Sequence, residues 1–137
     1  MYFEEVQLRP GVREFLQKLQ ARQVPMVIAT ATDRYLVEAA LRRCGILSCF
    51  RDILTCQEYG SKSSPDIYEA ARAILGTPKG DTWVFEDAYH AAETASRAGF
   101  PVLGIQDPSE PHQQELKALC RIYVRSFTQA NLNDFSL

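Results

Sequence analysis

The sequence predicts an α/β fold, a three-layer doubly wound parallel sheet within a single domain spanning residues 1–137. Three observations carry this. Short unbroken apolar runs alternate with helical stripes, as strands buried on both faces between crossover helices require. The helical segments carry start and stop residues at fitting positions. No repeat, low-complexity stretch or linker divides the chain.

The first helix follows Pro10-Gly11, with Val12, Phe15, Leu16 and Leu19 at helical spacing. Met26-Val27-Ile28-Ala29 is the first strand. Asp33 is placed to cap the next helix, striped by Leu36, Val37, Ala40, Leu41 and Cys44 and stopped by Gly45. Ile53-Leu54-Thr55 is a second strand. Ser64-Pro65-Asp66 opens a helix with a capping serine, a first-turn proline and an acid at the positive end; Ile67, Ala70, Ala71, Ile74 and Leu75 stripe it, and Gly76 ends it. Thr82-Trp83-Val84-Phe85 reads as a strand, and Asp87 begins a helix that runs to Gly99 and buries Ala88, Ala91, Ala92 and Ala95. Val102–Ile105 is the next strand. A polar loop with Pro108 and Pro111 precedes a short helix over Gln113–Leu119, then strand Ile122–Val124 and a terminal helix around Phe127–Phe135.

Composition narrows the function classes. Apolar residues are 46% and charged residues 23%, ordinary for a globular chain and against disorder. A net charge of -2 offers no basic stripe, so nucleic acid is not an expected partner. The best apolar run, Pro25 to Ala31, is broken off by Thr32 and Asp33 and is too short to cross a membrane. Met1-Tyr2-Phe3-Glu4-Glu5 does not read as a secretory signal. Cys44, Cys49, Cys56 and Cys120 form no CxxC pair and are expected as free thiols, three of them in or near the core, in a reducing cytoplasm.

Ligands of such sheets bind beyond the carboxyl ends of the strands. Three sequences put polar groups there: Thr30-Ala31-Thr32, the loop Gly60-Ser61-Lys62-Ser63-Ser64-Pro65, and Glu86-Asp87. Alone, Thr30 reads as a strand-end hydroxyl, Lys62 as a solvated loop lysine and Asp87 as a helix cap. Together they supply donors and positive charge for a phosphoryl group, and carboxylates for a hard cation.

In that order the residues resemble the haloacid dehalogenase superfamily, in the branch of β-phosphoglucomutase and phosphoglycolate-phosphatase-like enzymes, whose core is Rossmann-like. Pro10-Gly11-Val12 and its helix resemble the segment returning from a cap domain to that core. Val27-Ile28-Ala29-Thr30-Ala31-Thr32 resembles the second motif, which implies phosphate binding by Thr30 and Ala31. Lys62 with Pro65-Asp66-Ile67-Tyr68 resembles the third, which implies a catalytic, phosphate-binding lysine. Val84-Phe85-Glu86-Asp87 resembles the fourth, which implies Mg2+ held by Glu86 and Asp87. The likeness implies a phosphatase or phosphomutase acting on a small phosphorylated metabolite.

Three departures stand out. Ser63 follows Lys62 where the family has proline, and Ala88, Tyr89, His90 and Ala91 stand where it has serine and a first-turn glycine. His90 reads as a helix-surface histidine, with a substrate contact as the alternative. The family's nucleophile lies in an Asp-x-Asp pattern on the central strand, and none of Asp33, Asp52, Asp66, Asp81, Asp87, Asp107 and Asp134 forms one. Met1 to Leu8 resembles the end of the stretch holding that strand and the cap. The expectation is therefore the later core of a longer enzyme, missing its first central strand, inactive alone, and able to self-associate through open sheet edges. A truncated, non-catalytic binding or interaction module is the alternative. A receiver-like signalling domain needs an acidic cluster and a phosphoacceptor aspartate that the opening residues lack.

Overall fold

The structure, a computed structural model, describes residues 10–135, so the reading of Met1 to Leu8 lies outside the described residues. Helix α1 (Val12–Ala21) buries Val12, Phe15, Leu16 and Leu19, the four positions that share one face at 3.6 residues per turn. Strand β1 (Val27–Thr30) leads to α2 (Arg34–Arg43), then to β2 (Asp52–Thr55) and a one-turn helix α3 (Cys56–Tyr59). Helix α4 (Asp66–Leu75) closes on Gly76 in the left-handed region at φ 69°. Strand β3 (Val84–Glu86), α5 (Tyr89–Arg97), β4 (Val102–Ile105), α6 (Gln113–Leu119) and β5 (Ile122–Val124) complete the alternation.

Every strand pair is parallel. Val27 to Thr30 of β1 face Asp52 to Thr55 of β2 in order, and β4 lies between β3 and β5. Helices cover both faces, because the buried apolar residues divide into two clusters. One gathers α1, α2 and the C-terminal turns around Phe15, whose ring lies 5.6 Å from Phe85 and 5.5 Å from Phe127. The other packs α4, α5 and α6 through Ile67, Ala92, Ala95 and Leu116. The alanines let α5 approach the sheet closely, as their spacing predicts.

The strands fall into two sheets, β1-β2 and β3-β4-β5, and no strand among the described residues bridges them. Between them lies a groove of about 400 Å³, walled by Val27 and Ala29 on one side and Val84 and Phe85 on the other.

Four local expectations are corrected. Leu36 is 44% exposed: the buried positions Val37, Ala40 and Leu41 centre near Val37, and Leu36 lies about 90–100° around the helix from that centre. Ala88 is exposed, because α5 starts one residue after it. Asp87 does not hold the N-cap position, which is Ala88. The terminal helix is instead two 3-10 turns, Phe127–Gln129 and Leu132–Phe135. There the Ser126 hydroxyl accepts the Thr128 N–H and the Asn131 side-chain oxygen Oδ1 accepts the Asn133 N–H, local bonds that compete with a continuous helix. The four cysteines are free and all only partly buried.

Candidate active site

Parallel strands place all their carboxyl ends along one edge, and there the loops after β1, β3 and β4, with Lys62 from the loop after α3, enclose a cleft of about 320 Å³. Ala31, Lys62, Glu86 and Asp87 line it together, although they come from three separate stretches of sequence. Thr30 is fully buried at the end of β1 and does not line the cleft. Its hydroxyl oxygen accepts the Thr32 N–H at 3.0 Å, an acceptor contact that leaves the O–H proton to donate.

The strongest interaction here is a buried ion pair. Lys62 Nζ lies 3.1 Å from Glu86 Oε2, with the two side chains 14% and 1% exposed. The other Glu86 oxygen accepts the backbone N–H groups of Asp87 (3.2 Å) and Ala88 (3.3 Å), so the carboxylate bridges the lysine and its own turn. Burial pushes this carboxyl upward, but the adjacent lysine charge and the hydrogen bonds outweigh it, and the group is held well below its ordinary value of 4.5. The sign follows. A depressed folded value adds stability that is full above about pH 4.5 and is lost as pH falls through the depressed value. Urea midpoints measured from pH 7 to pH 3 are expected to fall more steeply for the native chain than for Glu86→Gln, and equal slopes would contradict the pairing.

Beneath this pair, Tyr68 is buried and its hydroxyl donates to the Ala91 carbonyl at 3.4 Å, tying α4 to α5. Burial, with the Glu86 charge beside it, pushes the phenol far above its ordinary value, so it stays a neutral donor. Asp87 is buried at the cleft wall. The donors suit a hard cation in kind, because they are oxygens. In number they are few: among the described residues no group of three or more His, Cys, Asp or Glu is arranged to hold a metal. Mg2+ is commonly held by one or two carboxylates, with water and substrate phosphate completing its shell, so Asp87 and Glu86 fit part of such a site.

The sequence reading passed over the opposite wall, formed by Asp107, Ser109, Glu110 and Pro111 after β4. The strand-end rule that drew attention to Thr30 and Asp87 applies equally to β4, so a signal was there. His90 does not line the cleft; it is exposed, with its ring 5.5 Å from Tyr89 and 5.6 Å from His112.

Fold and cleft thus define a parallel α/β protein whose strand-end site pairs a lysine with buried carboxylates, a set able to take an anionic oxygen group alongside a cation. The family model of the haloacid dehalogenase-like hydrolases matches residues 1–99, and the chain belongs to that family. Two curated relatives are similar to it. The validoxylamine A 7'-phosphate phosphatase of Streptomyces hygroscopicus subsp. limoneus is 28% identical over 87% of this chain and 55% of its own length. The phosphorylated carbohydrates phosphatase of Thermotoga maritima is 29% identical over 72% of this chain and 46% of its own length. Among solved structures, CbbY from Rhodobacter sphaeroides in complex with phosphate superposes with a TM-score of 0.80 at 25% identity, covering 94% of this chain and 59% of that one. The chain therefore spans about half the length of these relatives. No helix among the described residues is long and apolar enough to cross a membrane.

Proposed function

We propose that this chain is the phosphate- and cation-binding part of a Mg2+-dependent phosphatase or phosphomutase for a small phosphorylated metabolite. The observation that carries the reading is the Lys62–Glu86 pair set beside Asp87 at the strand-end cleft. Relatives whose names describe phosphatases of phosphorylated small molecules support the substrate class.

In this reading the backbone N–H at Ala31 donates to phosphate oxygens and Lys62 offsets their charge, while Thr30, buried behind that loop, braces it through the Thr32 N–H. Asp87 and Glu86 hold the cation, which when bound polarises the phosphoryl group and neutralises developing charge. The Asp87 and Ala88 amides fix the Glu86 carboxylate, so the acids do not reorganise when a ligand arrives. A nucleophile has to come from elsewhere, since no aspartate of the chain stands in the Asp-x-Asp pattern, and remaining ligands do not replace one. The groove between the sheets is where a strand bearing it would add, with backbone edges of β1 and β3 on either side. Four free thiols suit a reducing compartment such as the cytoplasm.

The second reading, a non-catalytic interaction module, is favoured by that same groove, whose largely apolar walls among the described residues suit a partner or a second copy. Binding separates the two. Titration of the isotopically labelled chain with Mg2+ and then inorganic phosphate is expected to shift the Ala31, Asp87 and Ala88 amides. Asp87→Asn is expected to weaken Mg2+ by at least about tenfold, the loss that even an indirect supporting residue produces at metal sites. No response to either ion would sink the enzyme reading and leave the module. The chain alone is expected to show no turnover of p-nitrophenyl phosphate.

A further inference from the structure

We infer that Glu110 is a positioning residue that holds the Glu86-Asp87-Ala88 turn in place by capping α5 from across the cleft. The first N–H groups of a helix have no partner within it, and a Ser, Thr, Asp or Asn at the N-cap usually supplies one. Ala88 occupies that position in the extended conformation normal for a cap (φ -103°, ψ 129°), yet has no side-chain acceptor. Glu110, far along the sequence, takes over. Its Oε1 accepts the N–H of Tyr89, the first residue of α5, and its Oε2 accepts the N–H of His112 at 2.7 Å.

One carboxylate thereby joins the loop after β4 to the start of α5. That loop is itself braced: the Glu110 N–H donates to the Asp107 carbonyl at 3.0 Å, and the Asp107 carboxylate accepts the Ser109 N–H at 3.0 Å and its hydroxyl at 2.9 Å. A braced loop makes a stiff anchor for the cap. The negative charge also sits where the helix dipole favours it. Asp87 lies two residues before the capped N–H, so the clamp sets where its carboxylate stands in the cleft. Ala88 itself lines that cleft, where the larger capping side chains, Asp, Asn or Thr, would occupy ligand space. A cap supplied from the opposite wall leaves this space open.

The clamp concerns the same turn as the proposed cation ligands, and its effect on metal rests on that reading. Amide hydrogen exchange and Mg2+ titration of the full chain test the two separately. Glu110→Ala is expected to speed exchange at Tyr89 by about fivefold, the equilibrium equivalent of one lost cap, with the amides of α4 unchanged. It is also expected to weaken Mg2+ binding, followed at the Asp87 and Ala88 amides. Glu110→Ala/Ala88→Ser, which returns an acceptor to the N-cap itself, is expected to recover much of both. Unchanged exchange at Tyr89 overturns the clamp. Faster exchange with native Mg2+ affinity, or failure of the serine to restore affinity, overturns the positioning role. If the native chain takes no Mg2+, the functional reading fails and the positioning of a cation ligand fails with it, while exchange at Tyr89 still decides whether the cap exists.

Discussion

Lys62→Met is expected to destabilise the chain by about 3 kcal/mol at pH 7, because it strands a carboxylate that water cannot reach. The two partners are not equivalent. Lys62 keeps 14% of its side chain in contact with solvent and has a flexible stem, so it turns outward when its partner is neutralised. Glu86 is 1% exposed and fixed by two backbone N–H groups, so it has no such escape. Glu86→Gln is therefore expected to cost less, about 1–2 kcal/mol, since a glutamine oxygen still accepts both amides. Lys62→Met/Glu86→Gln is expected to be more stable than Lys62→Met alone, a coupling that urea denaturation of the four proteins measures directly. Strict additivity would mean the pair is not a buried unit. The outcome bears on function as well: a strong coupling means the lysine is held ready in the cleft before any ligand arrives.

Gly11→Ala is expected to cost about 3 kcal/mol, from left-handed backbone strain together with overpacking. Gly11 has φ 82°, and a Cβ there would stand 2.7 Å from Thr128 Cγ2 and 2.8 Å from the Thr128 backbone nitrogen. A side-chain tip can move aside; a backbone nitrogen in a turn cannot. The Ser126 hydroxyl also donates to the Pro10 carbonyl at 3.3 Å, so the start of α1 is locked to the C-terminal turn that carries Phe127. Gly45 is the control. At φ 72° with no atom within 4 Å of the added Cβ, Gly45→Ala is expected to show only the left-handed strain of about 1–2 kcal/mol. Equal urea midpoints for the two variants would remove the packing argument at Gly11.

The site was partly legible. Ala31, Lys62, Glu86 and Asp87 were singled out because strand ends, loop positions and charge types are all local features, and the strand-end rule then predicts convergence. The orientation of the Thr30 hydroxyl toward Thr32 was not legible, since it depends on how the chain turns after β1. Nor was the acceptor that Tyr89 uses, because Glu110 lies on a different loop. Asp87 shows how a local rule misleads: an acid just ahead of a helix usually holds its N-cap, and here Ala88 holds that position while Asp87 stands at the cleft wall.

Periodicity by itself determined the alternation of strands and helices, down to the bounds Gln113–Leu119 and Ile122–Val124, because burial on a sheet repeats at intervals a single segment can display. The ordered polar groups likewise pointed to phosphate and cation chemistry. Only the tertiary structure decided that the strands among the described residues fall into two sheets, that Leu36 faces outward, and that the loop after β4 closes the cleft. Each of these depends on which distant segment fills the space beside a residue, and no window of sequence holds that information.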